Sequence, residues 1–150
     1  MPITPPKPRS SDLRKGRVSL SGQVYHITTV TTNRTPVFAD WRAARMLINA
    51  LREAQTRGAA TTLAFVVMPD HLHWLLQLEG DALLPKVVGS VKAVTAHKLG
   101  QQIWQGGFHD HALRREDDVM ETARYIVANP LRAGLVEQLA DYPHWDAVWL

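Results

Sequence analysis

The chain has 150 residues, 45% of them hydrophobic and 21% charged, with a formal net charge of +3, which describes one folded domain rather than a disordered chain. It contains no cysteine, so disulfide frameworks, zinc-thiolate sites and thiol nucleophiles are excluded, and any metal must be held by His, carboxylate, amide or water. No apolar run reaches the ~18 residues of a membrane span, and the opening "MPITPPKPRSSDLRKGR" lacks the apolar segment of a signal peptide, so a cytoplasmic protein without membrane contact is expected.

Residues 1–22 carry Lys7, Arg9, Arg14, Lys15 and Arg17 against Asp12. This Pro/Ser-rich stretch reads as a flexible basic arm, suited to a polyanion or simply solvated. Residues 23–150 form a single domain. "QVYHITTVTT" (23–32) is rich in β-branched and aromatic residues and predicts a strand. From Asp40, a candidate N-cap, a helix runs to Gly58, with Trp41, Ala44, Leu47, Ile48 and Leu51 on one face. "ATTLAFVV" (60–67) and "HLHWLLQLE" (71–79) are two further strands joined through Met68-Pro69-Asp70.

Gly80 and Asp81 open a second helix, with Leu84, Val87, Val88, Val91, Val94 and Leu99 at helical spacing and Gly100 at its end. "IWQGGFHDHALR" (103–114) holds a Gly pair and a short strand. Glu116, Asp117 and Asp118 lead into a last helix, "DVMETARYIVAN", where carboxylates complement the dipole, and Pro130 and Gly134 limit it. The tail "DYPHWDAVWL" shows no regular pattern. The order strand, helix, strand, strand, helix, short strand, helix is that of an α+β fold, a ferredoxin-like antiparallel sheet with packed helices.

His71 and His73 occupy alternate positions on a strand. They therefore share one face, about 7 Å apart by backbone rise, while Leu72 and Trp74 turn to the other. Two imidazoles so placed suit two ligands of one metal ion. The spacing alone is not specific, because His109 and His111 repeat it beside glycines without the apolar context. In "ETARYIVANPLRAGLV", Tyr125 and Asn129 lie four apart, one helical turn from each other, with Ile126 and Val127 turned to the core. Asn129 offers a carbonyl oxygen to a metal and Tyr125 a phenol nucleophile. A packed tyrosine and an asparagine that merely ends a helix before Pro130 fit the same residues.

The motifs "MPDHLHWLL", "WQGGFHDHALR" and "YIVANPLRAGLV", with the opening "YHITTVTTNRTPVF", together resemble the single-tyrosine transposases of the HUH (His-hydrophobic-His) superfamily. The branch they most resemble is the REP-associated tyrosine transposases, over roughly residues 22–145. The resemblance implies that His71, His73 and Asn129 bind Mg or Mn and that Tyr125 attacks single-stranded DNA. A 5′-phosphotyrosine and a free 3′-hydroxyl would result. It further implies a nucleoid-associated catalytic domain, monomeric or homodimeric, acting at hairpins of repetitive extragenic palindromes. A domesticated hairpin-binding protein without turnover is the alternative. Candidates for DNA contact are Arg9, Arg14, Lys15, Arg17, Lys92, Arg114 and Arg115 for phosphates, Trp104 and Phe108 for base stacking, and His109 and His111 beside the site.

Overall fold

Five segments that alternate or mass apolar residues pair into one sheet: β1 (Val24–Val30), β2 (Ala60–Met68), β3 (His71–Leu78), β4 (His109–Leu113) and β5 (Trp145–Ala147). Four helices accompany them: α1 (Trp41–Thr56), α2 (Leu84–Leu99), α3 (Glu116–Val127) and α4 (Asn129–Arg132). The structure is a computed structural model that describes residues 22–148, so the basic arm with Arg9, Arg14, Lys15 and Arg17 lies outside the described residues.

The strand order is β4-β1-β3-β2-β5, and every pairing is antiparallel. The first four strands with α1 and α2 have the expected α+β, ferredoxin-like arrangement. β2 and β3 form a hairpin through Pro69-Asp70, with Met68 opposite His71. Because β3 is central, both of its faces are covered, and its alternation sorts residues between two cores.

On one face, Leu72, Trp74, Leu76 and Leu78 pack with Tyr25, Ile27 and the apolar stripes of α1 and α2. Trp74 is fully buried and its indole N–H is satisfied by the Thr62 hydroxyl at 2.9 Å, so its large area is buried without an orphaned donor. On the other face, Leu75, Ala64, Val66 and Met68 meet Val119, Ala123, Ile126 and Val127 of α3. This second core is smaller. It covers only part of its face, and the polar remainder of that face holds the site.

Three expectations need correction. The tail forms β5, which pairs with Ala64, Phe65 and Val66 of β2 and is held further by the Tyr142 hydroxyl donating to the Val67 carbonyl. Trp41 is 56% exposed. It stands at the first position of α1, where its ring lies against His144 rather than in the stripe that buries Ala44, Leu47, Ile48 and Leu51. Asp40 occupies the N-cap position of α1, but its side chain makes no capping bond.

The last helix is also shorter than expected. It stops at Val127, and Asn129 begins a separate turn after Ala128. The reason is Pro130, whose missing N–H and ring cannot accommodate a straight continuation past the Ile126 carbonyl.

Candidate metal and nucleophile site

His73 is the centre of a polar cluster on the α3 face of the sheet. Strand register sets it opposite Thr28 of β1 and Val66 of β2, and it is 9% exposed. Its Nδ1 lies 2.9 Å from His26 Nε2 and 3.1 Å from the Thr28 hydroxyl. His71, two residues earlier on the same face, places its Nδ1 2.7 Å from Asp70 Oδ1. Both imidazoles thus have the Nδ1 edge engaged, and the rings stand 5.0 Å apart, nearly perpendicular. Hydrogen-bonding the outer nitrogen of a ligand histidine fixes its tautomer and orientation and leaves Nε2 as the donor.

Burial, then the neighbouring His26, His71 and Arg132, hold His73 down to about 3. Burial and His111 hold His26 down to about 4. Both rings are therefore neutral at pH 7, with lone pairs available. Burial pushes the Asp70 carboxyl up, but its hydrogen bond to His71 and the charges of His71 and Arg34 outweigh that and hold it below the usual range. Arg34 reaches Asp70 Oδ2 at 3.3 Å.

Tyr125 closes the site from α3. Its ring centroid lies 6.3 Å from that of His73, edge to face, while Ile126 and Val127 behind it are buried. The tyrosine itself is 54% exposed. Asn129 is half-buried at the start of α4 and makes no side-chain hydrogen bond among the described residues.

The donor set fits a divalent ion. Two neutral imidazoles favour Mn over Mg, which prefers oxygen. Among the described residues no three His, Asp or Glu side chains are grouped to hold a metal, so a third protein ligand would have to be of another type, such as an amide oxygen.

Beside Tyr125 runs a cleft of about 720 Å³ between β4 and α3, lined by His26, His111, Arg114, Arg115, Thr122 and Tyr125, among others. His111 is exposed and pairs directly across from His26, and Arg114 and Arg115 are exposed at the β4–α3 junction. His109, at the start of β4, is exposed as well. A groove of about 610 Å³ between α1 and β5 shares no residue with this site.

Two DNA-contact candidates are occupied otherwise. Trp104 is 7% exposed, packs on Phe38 and donates its indole N–H to the Lys92 carbonyl, so no face is open for a base. Lys92 donates to the carbonyls of Gln105 at 3.1 Å and Gly107 at 2.7 Å, and burial lowers its pKa. It ties α2 to the loop before β4 rather than presenting a free cation. Phe108 is half-buried and packs against the larger core.

Sequence reasoning missed His26, whose signal is its position two residues before Thr28 on an alternating strand. It also missed Arg132, whose guanidinium carbon lies 3.9 Å from the centre of the Tyr125 ring.

A family model described as "Transposase IS200 like" matches residues 19–126. The chain is 37% identical over 101 residues to the REP-associated tyrosine transposase of Escherichia coli (strain K12), a match spanning 66% of this chain and 61% of that protein. A Haemophilus influenzae relative, named provisionally as the same kind of transposase, is 28% identical over 144 residues, 82% of this chain and 78% of that one. A solved structure described as a REP-associated tyrosine transposase bound to a REP hairpin superposes with a TM-score of 0.77 at 29% identity, covering 86% of this chain and 79% of that chain.

Proposed function

The chain belongs to the IS200-like transposase family, and on that premise we propose that it nicks and rejoins single-stranded DNA beside hairpins, with Tyr125 as nucleophile. The observation that carries this reading is the convergence of three side chains: His71 and His73 with rings 5.0 Å apart, and Tyr125 with its ring 6.3 Å from His73. The relative solved with a REP hairpin supports a hairpin of that kind as the partner.

The roles of His71, His73 and Tyr125 rest on this proximity, and that of Asn129 on the family resemblance. His71, His73 and the Asn129 amide would hold Mg or, better suited to imidazole, Mn. When bound, such an ion neutralises charge on the non-bridging oxygens of the scissile phosphate. Asp70 orients His71, and the β1 pair His26 and Thr28 orients His73. For its Nε2 to bind a metal, His73 would carry its proton on Nδ1 and donate it to His26 Nε2, with Thr28 Oγ1 beside that contact. Ile126 and Val127, buried next to Tyr125 in the chain, anchor that stretch of α3 in the smaller core.

The strand lies in the cleft between β4 and α3, where Arg114, Arg115 and His111 meet its phosphates. Tyr125 Oη bonds to phosphorus as the bond from phosphorus to O3′ breaks. The phenolic proton passes to solvent, and O3′ leaves as a hydroxyl after taking a proton from solvent. The product keeps a phosphoester to the protein, so a later 3′-hydroxyl can reverse the exchange without another energy source.

The test is a denaturing gel of the protein mixed with a hairpin-bearing oligonucleotide and Mn. A covalent adduct is expected, and it should vanish in Tyr125→Phe. An unchanged adduct in that variant removes Tyr125 from the role. Tight, salt-dependent binding with no adduct under any divalent ion would instead favour a hairpin binder without turnover.

A further inference from the structure

Arg132 sits seven residues beyond Tyr125, across the break at Ala128. In a straight helix seven residues rise about 10.5 Å. Here the interruption before Pro130, and the backward lean of a long side chain toward the helix N-terminus, bring its guanidinium carbon to 3.9 Å from the Tyr125 ring centre. Among the described residues, the other stacked cations, Arg45 on Trp41 and Lys92 on Trp104, stand at 5.9 and 5.7 Å. Both Arg132 and Tyr125 are exposed, so packing does not force the contact.

Arg132 forms no ion pair among the described residues. A planar guanidinium stacked by its face keeps its five N–H donors directed outward along its edge. Arg132 thereby brings such donors next to the ring whose hydroxyl is the proposed nucleophile. Phosphoryl transfer spreads charge over the equatorial oxygens of phosphorus, and a bidentate arginine matches two such oxygens. A cation over the ring also interacts better with phenolate than with phenol.

We propose that Arg132 is a catalytic residue that donates to a non-bridging oxygen of the scissile phosphate while its face holds Tyr125 for attack. This rests on the reading of Tyr125 as nucleophile. As the bond from Oη to phosphorus forms and the bond to O3′ breaks, Arg132 keeps all its protons, and it contributes charge and position only.

Single-turnover adduct formation is measured with two oligonucleotides, one with an ordinary scissile phosphate and one with an uncharged methylphosphonate there. Arg132→Ala is expected to slow the reaction roughly 10²-fold on the ordinary substrate and by a few-fold at most on the methylphosphonate, whose lost charge no longer needs the cation. Arg132→Lys should recover part of the rate. Manganese affinity, read by electron paramagnetic resonance, and the melting temperature should match the unsubstituted protein. Equal slowing on both substrates overturns the phosphate role and leaves only a clamp on the ring, and loss of manganese binding in Arg132→Ala overturns it as well. Absence of any adduct from the unsubstituted chain sinks the nucleophile reading itself, whereas an adduct with equal slowing sinks the Arg132 proposal alone.

Discussion

Mild acid should destabilise the metal-free protein well before its carboxylates titrate. His26 and His73 are held at about 4 and about 3, against 6.5 for a free imidazole. Between these values the unfolded chain binds more protons than the folded one. Their contribution to stability is therefore complete above pH 6.5 and lost as pH falls toward 3. At pH 5, about 1.5 pH units below the free value, each histidine costs about 2 kcal/mol, or about 4 kcal/mol for the two.

Neighbour coupling and entry of water on protonation reduce that sum, so about 2–4 kcal/mol is the expected loss between pH 7.5 and pH 5. For a domain of this size the midpoint of thermal unfolding should fall by about 5–15 °C. The assay is thermal unfolding followed by circular dichroism in chelator-treated buffer. Asp70, held low by His71 and Arg34, titrates below this window. His144, lowered by burial and then by Arg45, adds a loss of the same sign and serves as an internal background. A His26→Asn/His73→Asn double variant should keep only that background. If the double variant loses as much stability on acidification as the unsubstituted protein, burial of the two imidazoles is not the cause and the reasoning fails.

Removing the carboxylate behind His71 with Asp70→Ala should weaken manganese binding by about 10–100-fold with little change in fold, as an isothermal titration would measure. Tyr142→Phe removes the donor to the Val67 carbonyl and should cost about 1–3 kcal/mol in urea unfolding; burial pushes that phenol up to about 12, so the loss should not vary between pH 7 and pH 9. Ile126→Ala opens a hole in the smaller core behind Tyr125, with an expected cost of about 2–5 kcal/mol. Its adduct yield per folded molecule should also fall, because the wall that positions the tyrosine is lost.

Much of the fold was legible because periodicity carries it. The alternation of His71, Leu72, His73 and Trp74 assigned each to its face, and the stripe of Ala44, Leu47, Ile48 and Leu51 marked the buried side of α1. β5 was not legible: three residues, Trp145–Ala147, have no period of their own and become a strand only through pairing with β2 some eighty residues earlier. Trp41 carried the right residue type for the stripe, but at the first position of α1 its ring lies against His144 instead of in the core. Trp104 and Lys92 read as DNA contacts by type alone, and only tertiary structure reveals the indole under α2 and the ammonium capped by two carbonyls.

At the site, His71, His73 and Tyr125 were legible and meet. His26 was hidden because one histidine on a strand signals nothing until β1 is placed beside β3. Arg132 was hidden because its approach to Tyr125 depends on where Pro130 breaks the helix.

The two-residue turn Pro69-Asp70 fixes whether odd or even positions of β3 look toward the tyrosine helix. A single added or deleted residue there, if carried into the strand pairing, would exchange the sets, sending Leu72 and Trp74 toward Tyr125 and driving both imidazoles into the apolar layer beneath α1 and α2. Loop length is usually the freest variable in a hairpin. In this one it is a parity bit, and the chemistry depends on it as directly as on the histidines themselves.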